Sequence, residues 1–256
     1  MWINSLVGGL SCRGGMLLTR GGSMGGFKIQ LLIFFTVAQL LSAGQVAIGT
    51  LGGEYPLVGD IAGHQQKPSI AIRSEGGVAA WQNATSESGG ERIVVQMLSS
   101  DFQGLGSPQV ISQNITGQND LNPRVALIPG GSSAVIWESG PRASRDIFVR
   151  FLSETGGFTT DILKVNSFDN GIQSNGAVAV STEGEVLVVW SSNGQDGAGE
   201  GVYGQYFNAQ GTRINGEFRV NQNTAKNQAW PRVAFMGSGR FVVVWVGESV
   251  NGTNSS

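Results

Sequence analysis

The stretch Pro231-Arg232-Val233-Ala234-Phe235-Met236-Gly237-Ser238-Gly239-Arg240-Phe241-Val242-Val243-Val244-Trp245 decides the fold. Two short apolar runs, rich in Val and Phe, flank a Gly-Ser-Gly break, which is the pattern of two strands joined by a tight turn. The second run is apolar on both faces, as a strand enclosed by neighbours on either side must be. Working outward, the same pattern recurs as PSIAIRSEGGVAAW from Pro68, PRVALIPGGSSAVIW from Pro123 and GAVAVSTEGEVLVVW from Gly176. Successive starts are 55, 53 and 55 residues apart, and the closing tryptophans Trp81, Trp137, Trp190 and Trp245 are spaced by 56, 53 and 55. A period of this size marks a repeat architecture, so it governs the fold assignment before any local reading does.

Each unit has a second half. A polar loop follows the Trp, then an apolar run (Ile93 to Leu98, Ile147 to Leu152, Val202 to Phe207), a Gly-containing turn and a closing run such as LKVN (Leu163 to Asn166) or FRVN (Phe218 to Asn221). Four strands in some 54 residues is the size of one blade of a β-propeller. In the first strand a β-branched residue is followed by Ala (Ile70-Ala71, Val125-Ala126, Val178-Ala179, Val233-Ala234), a small side chain where innermost strands crowd an axis. The four tryptophans are expected to pack between blades, each burying on the order of 200 Å². Pro68, Pro123 and Pro231 open three of the four units.

The expected fold is therefore all-β: a β-propeller of four-stranded blades, either four blades with terminal strand closure or a fragment of a larger propeller. The units fall near residues 65–118, 119–172, 173–227 and 228–256. The last is completed by 45–60, because Gly49 to Tyr55 aligns with the fourth-strand segment Gly211 to Phe218. Closure by strands from both termini removes the open edge that invites aggregation.

Residues 1–43 read differently. Lys28, an apolar run from Ile29 to Leu41 and the small residues Ser42, Ala43 and Gly44 follow the order of a secretory signal, and the run is shorter than the roughly 20 residues needed to span a bilayer. The expectation is a cleaved leader with translation starting at Met24, a repeat domain over 44–256, a secreted or cell-surface location and no stable membrane span in the mature chain. Cleavage near Ala43 removes three cations and no acid, taking the charge from −2 to −5, and removes Cys12, the single cysteine. Disulfide scaffolding, cysteine catalysis and thiolate metal sites are thereby excluded. A charged fraction of 13% with near-balanced signs gives no basic footprint for nucleic acid.

The run from Ser191 to Asn221, followed by PRVAFMGSGRFVVVW, resembles repeats that recur in large secreted and surface proteins of bacteria, often beside calcium-binding or cadherin-like modules. The resemblance covers roughly Gly49 to Trp245 and implies propeller blades or adhesive repeats. It implies no catalytic set.

Chemistry is sparse. His64, the single histidine, lies in GDIAGHQQKP without a GxSxG elbow and reads as a solvated loop residue. No cofactor is expected apart from calcium: Asn193, Asp196 and Glu200 place oxygen donors among glycines in the loop after Trp190. The favoured function is a non-enzymatic binding or scaffold module whose blade loops contact a glycan or protein. The alternative is a propeller-type carbohydrate-active hydrolase using paired carboxylates, with Glu138, Asp146, Glu154, Asp161, Glu183, Glu185, Asp196 and Glu200 available.

Overall fold

The structure is a computed structural model, and it describes residues 13–17, 30–36, 48–50, 54–59, 61–84, 90–113, 118–237 and 239–248. Every helix or strand element among the described residues is a strand, and the chain divides into two compact units, 1–59 and 60–256.

In the first unit β1 (Arg13–Leu17), β2 (Gln30–Thr36) and β3 (Ile48–Thr50) pair in that order, all antiparallel, and β4 (Tyr55–Pro56) pairs with β2. Within the expected leader, Gln30–Thr36 is thus strand; Met24, Lys28, Ser42 and Ala43 lie outside the described residues. Within the segment 45–60, β3 and β4 both pair with β2.

The second unit holds three four-stranded antiparallel sheets built in sequence order. They are β5 (His64–Arg73), β6 (Gly76–Ala84), β7 (Glu91–Leu98) and β8 (Gly104–Val110); β9 (Asn119–Leu127), β10 (Ser133–Gly140), β11 (Asp146–Leu152) and β12 (Leu163–Lys164); and β13 (Gln173–Val180), β14 (Val186–Asn193), β15 (Glu200–Phe207) and β16 (Arg213–Arg219). A two-stranded sheet of β17 (Gln228–Met236) and β18 (Arg240–Gly247) follows. The first strands lie side by side, β5 against β9, β9 against β13 and β13 against β17. This is the blade arrangement of a β-propeller, and the all-β propeller expectation holds.

The core sits between blades. Trp137, Val125 and Val135 of the second blade join Val78, Ala80, Ile93 and Val95 of the first, with Ala71 packed against them. Trp190, Val186, Val188 and Phe207 of the third join Ile136, Ile147, Val149 and Phe151 of the second. Of the alanines that follow a β-branched residue, Ala71 packs in this contact between blades, whereas Ala234 is exposed. Trp81, Trp137 and Trp190 are buried as expected, but Trp245 is 39% exposed. The reason is local: β18 packs Phe241 and Val243 on the third blade, whereas Val242, Val244 and Val246 are exposed.

The closing runs supply a polar latch as well as a strand. Asn166 Oδ1 accepts the Ile147 amide at 2.8 Å and Asn221 Oδ1 accepts the Val202 amide at 2.8 Å, while Ser112 Oγ accepts the Ile93 amide at 3.0 Å in the first blade. Each ties the end of a blade to the start of its third strand and satisfies a backbone donor there.

Candidate functional site

Each first strand is interrupted by a bulge at the same place. The ladder shifts between Gln66 and Ser69 of β5, opposite the Ile136/Glu138 step of β10 for β9, between Ser174 and Ala177 of β13, and between Ala229 and Arg232 of β17. Each bulge carries one non-glycine residue in the left-handed region: Lys67 (φ 51°), Asn122 (φ 53°), Asn175 (φ 57°) and Trp230 (φ 55°). Asn tolerates that conformation, but for Lys and Trp it costs about 1–2 kcal/mol. Strain of this kind persists only where the surroundings enforce it, and it clusters at functional sites.

The enforcing contact is a hydrogen bond between blades. The residue after each buried Trp accepts the backbone N–H of the strained residue in the next blade. Gln82 Oε1 accepts from Asn122 at 3.3 Å, Glu138 Oε1 from Asn175 at 2.9 Å and Ser191 Oγ from Trp230 at 3.0 Å. An amide, a carboxyl and a hydroxyl perform one task, so the sequence hides the equivalence.

Glu138 differs from its counterparts in being titratable, and it is nearly fully buried. It is 3% exposed, and burial raises its carboxyl above the ordinary range, against the opposing pull of the Asn175 amide, the Asn122 side chain and the guanidiniums of Arg145 and Arg124. Arg145 Nη1 stands 3.7 Å from Glu138 Oε2. One pair along the same ladder, Asp120 faces Ser139 in register, so its side chain lies on the face of the sheet opposite to Glu138. Burial raises Asp120 as well, countered by Ser112, Ser139, Arg92 and Trp137. Its Oδ2 is 3.8 Å from Arg92 Nη1. Asp120 occupies the position held by the buried Gln65, Gln173 and Gln228 in the other blades, and there it belongs to the wall between blades.

At the equivalent bulge of β17, Trp230 is 58% exposed. Its backbone is pinned by Ser191 while its indole stays free to meet a ligand. A rigid, amphipathic ring of this sort is a natural platform for the C–H face of a sugar.

The other anticipated residues lie elsewhere. His64 is exposed and opens β5, opposite Ala84, rather than sitting in a loop. Asn193 and Glu200 face each other across the β14–β15 ladder. Asp196 Oδ1 accepts the Ala198 amide at 3.2 Å, and its Oδ2 accepts Asn221 Nδ2 at 3.4 Å. Burial and the neighbouring Glu248 raise Glu200. Among the described residues no three His, Cys, Asp or Glu side chains gather as metal ligands. Of the eight carboxylates, Asp146 is engaged by Lys164 at 2.9 Å and by Asn166 at 2.7 Å, and Glu154 by Arg73 at 3.8 Å. Glu138 alone of the eight stands at the bulged end of a first strand next to the strained backbone.

No protein-family model matches the sequence, and no curated protein matches it. The likeness to repeats of bacterial surface proteins accordingly rests at the level of the blade. Solved structures share the fold. One is an α-L-arabinanase from Penicillium chrysogenum complexed with arabinobiose, with TM-score 0.55 and 14% identity over 86% of this chain and 63% of that one. Another is a sucrose-6-phosphate hydrolase from Lactobacillus gasseri, with TM-score 0.51 and 6% identity over 90% of this chain and 50% of that one. The chain spans less than two thirds of either. The expectation of a non-enzymatic binding or scaffold module is corrected by these likenesses, since the propellers that share the fold are enzymes named for saccharides.

Proposed function

We propose that the chain is the propeller, or part of the propeller, of a carbohydrate-active hydrolase, with Glu138 as its proton donor and a glycan as its ligand. The observation that carries this reading is the buried Glu138 carboxyl, raised above the ordinary carboxylate range at the strained end of a first strand. Cleaving a glycosidic bond requires a proton at the departing oxygen, and a buried carboxyl group whose pKa is pushed upward is the kind of group that delivers it. Protonation is the half of the chemistry that these residues supply. Asn122 and Asn175 flank the carboxyl and hold its orientation through the Asn175 amide. Trp230 stacks one sugar ring and orders the substrate over the site.

The likeness to an arabinanase and a sucrose-6-phosphate hydrolase supports a saccharide as substrate. No helix among the described residues is long and apolar enough to cross a membrane. The order of Lys28, the apolar run and Ser42-Ala43 supports export of the chain, where polymeric glycans are met.

The test is incubation of the purified chain with linear arabinan and with sucrose 6-phosphate, following the release of reducing sugar. Turnover that falls 10²-fold or more in Glu138→Gln supports the assignment. Turnover that is equal in the two proteins removes Glu138 from the reaction.

A further inference from the structure

The residue after the bulge is Ser69 in β5, Arg124 in β9, Ala177 in β13 and Arg232 in β17. Two arginines thus occupy equivalent positions on the strands that flank β13, with the small Ala177 between them. Both are held in the same way. Arg124 Nη1 donates to the Pro123 carbonyl and Arg232 Nη1 to the Pro231 carbonyl, each at 2.8 Å. Each guanidinium is folded back on its own bulge, and its remaining N–H groups are left for another acceptor. Among the described residues neither Arg124 nor Arg232 has a carboxylate within salt-bridge distance. Burial and the charge of Arg232 lower Arg124 while the charge of Glu138 raises it, and Glu138 also faces Arg145.

Two cations at equivalent positions on the strands flanking β13, with Glu138 acting on Arg124 and no carboxylate paired with Arg232 among the described residues, favour a further negative group beside them. Arginine presents a planar fork of donors that matches a carboxylate or phosphate in bidentate fashion, and here both forks are positioned before a ligand arrives. Arg232 is exposed and Arg124 half-buried, so an incoming group meets one in solvent and the other in the wall.

We infer that Arg124 and Arg232 form an anion subsite, and that the saccharide taken by this propeller bears a negatively charged substituent. The inference rests on the glycan reading for its ligand class, but the anion site is tested separately from turnover. The uronic carboxylate and the sugar phosphate share the chemistry that the forks recognise, and the experiment separates them.

The experiment is calorimetric titration of the full chain with inorganic phosphate, digalacturonate, sucrose 6-phosphate and neutral arabinobiose, repeated on Arg232→Ala and Arg124→Lys. The expected result is at least tenfold tighter binding of one of the two anionic sugars than of arabinobiose, weakened at least tenfold in Arg232→Ala and accompanied by phosphate binding that falls with added salt. The better of the two anionic ligands identifies the substituent. Arg124→Lys keeps the charge and the stem, so a folded variant that loses affinity reports loss of the fork itself. Arabinobiose bound as tightly as the anions, or anion binding unchanged in Arg232→Ala, overturns the subsite and leaves the hydrolase reading standing. Absence of hydrolysis with preserved anion binding overturns that reading and leaves the subsite standing.

Discussion

Replacing Glu138 by Gln and by Ala separates two roles that one side chain combines. Gln occupies the equivalent position in the first blade, where Gln82 accepts the Asn122 amide. Glu138→Gln therefore keeps an acceptor for the Asn175 amide, and its cost in stability at acid pH is smaller than that of Glu138→Ala. Glu138→Ala leaves that half-buried N–H without its partner and opens a small void, for a loss of about 1–3 kcal/mol from the unsatisfied donor. For a domain of this size that corresponds to a fall in melting temperature of about 2–10 °C. The pH dependence gives a second readout. The folded-state pKa of Glu138 lies above its ordinary value of 4.5. The native state therefore holds the proton more tightly than the unfolded chain does. Stability associated with Glu138 is fully present below the unfolded pKa and is lost as pH rises through the folded one. Glu138→Gln abolishes this decline, so the mutant gains on the wild type as pH is raised above 4.5, while the contribution of Asp120, of the same sign, remains in both. The assay is urea denaturation at a series of pH values, with hydrolysis measured on the same samples. Equal stability of the Ala and Gln variants, or parallel pH profiles for wild type and Glu138→Gln, refutes the reasoning.

Val189 and Val244 occupy the same place in successive units, yet Val189 is fully buried and Val244 is 59% exposed. Val189→Ala is expected to cost about 2–3 kcal/mol and Val244→Ala less than about 0.5, and similar denaturation midpoints for the two would contradict the packing described for β18. Asn221 uses its carbonyl for the Val202 amide and its amide for Asn223, Gln228 and Asp196, so Asn221→Ala should lower stability by about 2–4 kcal/mol as several buried partners are orphaned. An Asn221→Ala protein that melts with the wild type shows the latch to be idle. Trp230→Ala should weaken saccharide binding by about tenfold and leave the melting temperature unchanged, since it removes a ring that is mostly exposed and keeps the Cβ responsible for the left-handed strain. Unaltered affinity would remove the platform.

The blades were legible because burial on two faces leaves a mark in the residues themselves. Val186 to Trp190 is buried and apolar at every position, Phe241 to Trp245 repeats that pattern although it is enclosed on one face only, and Gly76-Gly77 and Gly130-Gly131 must turn. The site was far less legible. The latch acceptors Gln82, Glu138 and Ser191 share no chemistry beyond an oxygen, so no pattern links them, and Glu138 stood among eight carboxylates with nothing to single it out. Trp230 escaped notice for a related reason. A left-handed conformation at Lys67 and Trp230 runs against local preference and is imposed by the neighbouring blade. One signal was available: the positions just before Pro68, Pro123, Gly176 and Pro231 recur at the repeat spacing, and a Pro after each of three of them marks an interrupted ladder. The arginines at the following positions could have been aligned from the same register, although only the fold shows that β9 and β17 flank β13.

The measurement that bears most directly on the central claim is the release of reducing sugar from linear arabinan, polygalacturonate and sucrose 6-phosphate by the wild-type chain and by Glu138→Gln, with folding verified by circular dichroism. Turnover of at least one of these by the wild type, reduced 10²-fold or more in a Glu138→Gln protein that keeps its fold, is the predicted result. A folded wild-type protein that cleaves none of them, or a Glu138→Gln protein as active as the wild type, contradicts it.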